Sequence, residues 1–284
     1  MKRKILICFL LVTANVNSFA QKDFPKLSGP YLGQKPPGMT PKIFAPGIIS
    51  LPGITEMDIN FWPDGKRCIF TRNEILYETK TINNVWTEPE LFEPLKDIKC
   101  FEPCLAPDGN KIFFGNTELK LPKNIVPEAD FALLWFVERT DQGWNKPTFF
   151  CSGMFPSIEK TGTVYFTSLS GLRYRKLIDG VYNQSTSVFE GPYMEDAHPG
   201  VAPDGSYIIF DSELRKKIND CSNFITFKLE DGRWSEPKNM GEVVPITLLG
   251  ARISSDQKYI FFLNDGDIYW VDAKIIEELK PEEL

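Results

Sequence analysis

Phe61-Trp-Pro-Asp-Gly-Lys-Arg-Cys-Ile-Phe-Thr71 returns as Leu105-Ala-Pro-Asp-Gly-Asn-Lys-Ile-Phe-Phe-Gly115 and as Val201-Ala-Pro-Asp-Gly-Ser-Tyr-Ile-Ile-Phe-Asp211. In each copy Pro sets φ, the Asp carboxylate can cap the turn and Gly takes positive φ, so the chain folds back on itself as a hairpin. Two worn copies complete the series: Ile158-Glu-Lys-Thr-Gly-Thr-Val-Tyr-Phe-Thr167 and Ser254-Ser-Asp-Gln-Lys-Tyr-Ile-Phe-Phe262. Their anchor aromatics Phe70, Phe114, Phe166, Phe210 and Phe262 stand 44, 52, 44 and 52 residues apart. That period belongs to propeller blades.

Each phrase is followed by a second half containing a Tyr- or Phe-rich segment, a polar turn and an aromatic (Trp86, Trp144, Tyr182, Trp234). One repeat is therefore four strands. The fifth repeat has only three, ending at Asp267-Ile-Tyr-Trp-Val271, while Pro41-Lys-Ile-Phe-Ala-Pro-Gly-Ile-Ile49 reads as a strand without a blade. Joining the two closes the ring and removes the open edges that invite aggregation. The expected fold is all-β: a β-propeller of four-stranded antiparallel blades over residues 41–272, five in number and closed by the N-terminal strand, with six blades as the alternative. Residues 1–20 read as a signal peptide, 21–40 as an N-terminal extension, and 273–284 as a short C-terminal helix and tail with Ile275, Ile276 and Leu279 on its apolar side.

The repeated aromatic/aliphatic-x-Pro-Asp-Gly-x-x-aliphatic-aromatic-aromatic pattern resembles the TolB-like, WD-related propeller repeats of exported bacterial proteins. The framing segments Pro36–Ser50 and Gly266–Lys280 resemble stretches that recur in uncharacterised exported propellers of this kind. The resemblance implies the fold and says little about activity. The third repeat departs from it in lacking Pro-Asp-Gly, the fifth in carrying Gln257 where Gly is usual, and TolB itself is six-bladed.

Composition narrows the function. With 32 Lys+Arg against 38 Asp+Glu the formal charge is −6, and removing Lys2, Arg3 and Lys4 with the first twenty residues takes it to −9. Nucleic-acid affinity rests on a basic face, so no nucleic-acid partner is expected. The single His198 excludes sites built on two or more histidines. Lys2-Arg3-Lys4, the apolar run Ile5–Val12 and the small residues of Ser18-Phe19-Ala20 form an export signal cleaved after Ala20, giving a periplasmic or secreted protein without membrane insertion. Cys8 lies inside the apolar run and not at the cleavage point, so a lipid anchor is not expected. Cys68, Cys100, Cys104, Cys151 and Cys221 are too few for a disulfide scaffold and read as free thiols. No cofactor and no metal are expected.

With four strands per blade, the approach to the first strand and the exit from the second share one face of the disc, and the Pro-Asp-Gly turns share the other. The first face carries the longer loops, residues 117–130 and 213–223, and loops on a rigid scaffold are where binding residues concentrate. Its channel-mouth candidates are Glu56, Arg72, Glu102, Asp196, His198, Asp211 and Arg252. Several carboxylates, one imidazole and a guanidinium could receive a protein or carbohydrate ligand, and paired carboxylates could instead serve as acid and base. His198-Pro199 and Glu102-Pro103 hold equivalent repeat positions, so these side chains could equally tie neighbouring blades together. There is no Gly-x-Ser-x-Gly elbow, sialidase box or phosphate-binding loop. The reading is a monomeric binding module without catalysis; the alternative is a hydrolase or lyase on a glycan using the channel carboxylates and His198. The set Trp86, Trp144 and Trp234 is expected to pack between blades rather than to stack on sugars.

Overall fold

The computed structural model describes residues 24–128, 132–191, 194–244, 246, 248–282 and 284; the expected signal peptide and its cleavage point lie outside them. Five innermost strands, Glu56–Phe61, Phe101–Leu105, Met154–Ile158, Asp196–Val201 and Leu249–Ile253, each open a blade. They pack against one another in that order, the fifth returning to the first, around a central channel. The second strands are Arg67–Arg72, Lys111–Gly115, Val164–Ser168, Tyr207–Ser212 and Tyr259–Asn264, and the third are Ile75–Ile82, Leu133–Thr140, Gly171–Arg175, Asn223–Phe227 and Asp267–Asp272. Within each blade these three strands pair antiparallel in chain order, which makes five blades of the expected kind.

The turn chemistry matches the repeat. Asp64, Asp108 and Asp204 each accept the N–H two residues on, at 3.0, 2.9 and 3.0 Å. In the third repeat, which lacks Pro-Asp-Gly, the Thr161 hydroxyl takes the same role toward the Thr163 N–H. Gln257 holds the left-handed position that Gly65, Gly109, Gly162 and Gly205 hold in the others.

The anchor phenylalanines explain the period. Phe70, Phe114, Phe166, Phe210 and Phe262 are all buried and each helps fill a seam between blades. Trp86 is buried beneath the N-terminal segment, donating its Nε1–H to the Gly29 carbonyl at 2.7 Å. Trp144 and Trp234 are half-buried against Phe92 and Tyr165 of the preceding blades.

The closing strand is shorter than the sequence suggests. Only Lys42–Ile43 pair with the fifth blade, opposite Trp270 and Tyr269. The chain then turns through Ala45 and Gly47, both at positive φ, and buries Phe44, Ala45 and Ile49, whereas Ile43 is exposed and Ile48 half-buried. Two Pro residues and a Gly in nine positions make a turn cheaper than an extended run. Ala273–Leu279 forms a 3₁₀ helix capped by Asp272, burying Ile275, Ile276 and Leu279 in the seam of blades four and five. The five cysteines among the described residues are all free, four of them buried and Cys151 half-buried.

Candidate functional site at the channel mouth

On every innermost strand the pairing register slips once, between Met57 and Asn60, Phe101 and Cys104, Met154 and Ser157, Ala197 and Gly200, and Leu249 and Arg252. At each slip one residue takes positive φ: Asp58 at 57°, Glu102 at 53°, Phe155 at 50°, His198 at 53° and Gly250 at 62°. Bulges re-aim side chains, and here the five meet. The rings of Phe155 and His198 lie 4.1 Å apart, edge to face. Glu102 Oε2 accepts the Phe155 N–H at 2.6 Å. A β-carbon at Gly250 would stand 2.7 Å from the Phe155 ring, so the fifth blade needs glycine for space as well as for φ.

One of the five, Asp58, forms a buried ion pair, Arg252 Nη2 to Asp58 Oδ1 at 3.0 Å. Arg252 also donates to the carbonyls of Pro156, at 2.9 Å, and Glu102, at 3.2 Å, so one guanidinium ties together three blades besides its own. Burial pushes the Glu102 carboxyl up to about 7, with the negative field of Asp58 adding to it; the Phe155 N–H, Arg252 and His198 pull the other way. Burial likewise raises Asp58, against the attraction of Arg252 and His198. Glu102 thus changes charge near neutrality, in a half-buried position beside an imidazole.

The seven candidates divide into four groups. Glu56 is fully buried, accepting from Arg72 Nε at 3.1 Å and from the Leu51 N–H at 3.2 Å. Arg72 in turn donates to the carbonyls of Ile48 and Ile49, so this pair pins the closing turn to the first blade. Asp196 is buried in a forked pair with Arg215, at 2.7 and 3.0 Å. Arg252 stands inside the channel with Asp58. Glu102, His198 and Asp211 keep partial solvent access around the mouth, as Arg72 does at the closing turn, with His198 Nδ1 2.6 Å from Asp211 Oδ1. The sequence reading missed Arg215, because a lone arginine in a loop carries no repeat signal. Among the described residues no group of three or more His, Cys, Asp and Glu is arranged to hold a metal ion.

The mouth has an apolar collar. Ile125, Val126, Leu169, Met194 and Leu214, all on the long-loop face of blades two to four, are exposed, Val126 to 90 %. Leu169, Glu128 and Met154 share one small cleft of about 100 Å³, which joins the second blade's loop to the third blade's turn. Met194 and Leu214 stand two and one residues along the chain from the paired Asp196 and Arg215.

No family model and no curated protein matches the chain. Solved structures do. A protein from Agrobacterium tumefaciens assigned as TolB is 15 % identical, covers 75 % of this chain and 69 % of its own, and superposes with a TM-score of 0.51. TolB from Acinetobacter baumannii is 16 % identical over 80 % of this chain, with a TM-score of 0.44, and this chain spans about half of it (52 %). A gluconolactonase from Xanthomonas campestris covers 88 % of this chain and 98 % of its own at 11 % identity and a TM-score of 0.45. At such identities the likeness is one of fold. No helix among the described residues is long and apolar enough to cross a membrane. The repeat phrases, the five-bladed ring and the superposition on the Agrobacterium protein together give this chain a β-propeller fold of the TolB-like kind.

Proposed function

We propose that the chain is an exported, monomeric binding module that receives a protein partner on its long-loop face and catalyses no reaction. The carrying observation is the exposed apolar collar of Ile125, Val126, Leu169, Met194 and Leu214 around a polar mouth. Contiguous apolar surface rimmed by polar groups is the mark of a protein-docking site, whereas a catalytic channel needs reacting groups converging on free space. Glu102, His198 and Asp211 then supply hydrogen bonds and charge at the centre of the docked area. Partner side chains that fit are an aliphatic residue for the collar and a basic residue for Glu102 and Asp211.

The alternative, a glycan hydrolase or lyase, is favoured by one feature: Glu102 held near about 7 beside His198, as a general acid would be. One set of variants separates the two readings. Val126→Glu with Met194→Glu should abolish cross-linking to envelope proteins of the organism that makes the chain, leave the melting temperature unchanged, and produce the same loss as Glu102→Gln with His198→Ala. Release of reducing ends from a glycan panel, lost in Glu102→Gln and retained in the collar variant, would favour the enzyme. Export is checked on the same material: mass spectrometry should find a mature protein starting at Gln21 outside the cytoplasm.

A further inference from the structure

The seams between blades are not equally filled. Between the first and second blades the Arg67 guanidinium lies 4.3 Å from the Trp62 ring and 5.7 Å from that of Phe92, closing the space. In the third repeat the positions of Trp62 and Arg67 are taken by Glu159 and Thr163. The seam between blades three and four consequently stays open as a groove of about 670 Å³. Its floor is the buried Tyr165 and its walls are the half-exposed rings of Tyr174 and Trp234. The Lys176 and Lys228 ammonium groups hover over these rings, 5.7 Å from Tyr174 and 4.7 Å from Trp234. Neither lysine has an ion-pair partner among the described residues. Glu159 is buried at one end, its Oε1 accepting the Thr161 hydroxyl at 2.7 Å.

We propose that this groove binds a short oligosaccharide carrying a carboxylate. The volume falls within the range of small-ligand sites, roughly 300–1,000 Å³, which combine aromatic walls with a few fixed polar groups. Flat aromatic faces stack on the apolar face of a sugar ring, while the hydroxyls of Thr161, Thr163 and Ser235 suit its alcohol groups. Lys176 and Lys228 supply two cationic groups for the carboxylate, and the groove's lining also carries Glu159, Glu190 and Glu236. A second groove of about 640 Å³ lies between blades four and five, but only the groove between blades three and four sets two aromatic walls, Tyr174 and Trp234, beneath lysine ammonium groups. It reaches Arg215, the partner of Asp196, at one end, while its aromatic walls and both lysines lie outside the candidate set at the channel mouth.

Isothermal titration of the full chain with trigalacturonate and with a neutral hexose trisaccharide tests it. Trigalacturonate should bind at least about tenfold more tightly than the neutral sugar, and Trp234→Ala and Lys228→Gln should each weaken it by about tenfold or more. Thr163→Arg copies the filling of the first seam and should abolish binding without lowering the melting temperature. Heat from neither sugar, equal affinity for both, or unchanged binding in Thr163→Arg would overturn the assignment.

Discussion

Glu102 shows how a single backbone angle sets chemistry. Its positive φ turns the side chain into the ring of bulge residues, where burial and Asp58 raise the carboxyl to about 7. The sign of the linkage follows: the folded state binds the proton more tightly than the unfolded chain, so stability is present at low pH and lost as pH rises from the ordinary glutamate range through about 7. A shift of this size corresponds to about 3 kcal/mol at most. Glu102→Gln, which stays neutral, should melt like the parent at pH 5 and several degrees above it at pH 8, read by calorimetry across that range. A parallel pH dependence in the two proteins would show that Glu102 is not the group responsible. Gly250 makes the complementary point, because the neighbouring Phe155 ring leaves no room for a β-carbon. Gly250→Ala is expected to destabilise by about 1–3 kcal/mol, from overpacking and left-handed strain together, as measured by urea titration.

At the scale of elements, the hairpin turn and the innermost strand do different work. The turn aspartates cap their own hairpins on the face opposite the mouth. Asp108→Ala and Asp204→Ala should each cost about 0.5–2 kcal/mol by denaturant titration, as lost side-chain caps do, and leave partner binding intact. The innermost strands carry no such local device. Their bulges hold because neighbouring blades press on them: Gly200 approaches the next blade so closely that a β-carbon would meet the Ala251 carbonyl oxygen. The hairpins were legible from Pro-Asp-Gly alone, since turn geometry is a property of a few consecutive residues. The five register slips were legible only in part: Glu102, Phe155 and His198 are each followed by Pro, but Asp58-Ile59 and Gly250-Ala251 share no residue type with them.

For the whole molecule, closure is the decisive contact. Lys42–Ile43 complete the last sheet, and Phe44 and Ile49 bury themselves among Phe61, Phe261 and Trp270 of the first and fifth blades. Tyr31 adds a second tie, donating its hydroxyl to Asp256 at 2.7 Å across the same seam. Phe44→Ala should lose about 3–5 kcal/mol. Deletion of residues 41–49 should leave no cooperative transition, because that loss and the exposed sheet edge together rival a total stability of about 5–15 kcal/mol. A truncated chain melting within about 3 °C of the parent would show that the ring closes by other contacts.

Periodic features were readable in the sequence by itself because each is enforced within one repeat: the Pro-Asp-Gly hairpins, the anchor phenylalanines, the five blades, the donated strand and the face on which the candidate residues lie. What only the tertiary structure decided was how those residues divide among roles. Glu56 and Asp196 look in sequence like Glu102, polar residues at the approach to an innermost strand. Arg72 and Arg215 bury the first two as struts, while a left-handed bulge leaves Glu102 at the mouth with a carboxyl near neutrality. The open seam beside Trp234 was hidden for the same reason, since it depends on Thr163 standing across from a different blade. Pairing partners brought together by ring closure are separated by tens of residues in the chain, and no local pattern records which of them meet.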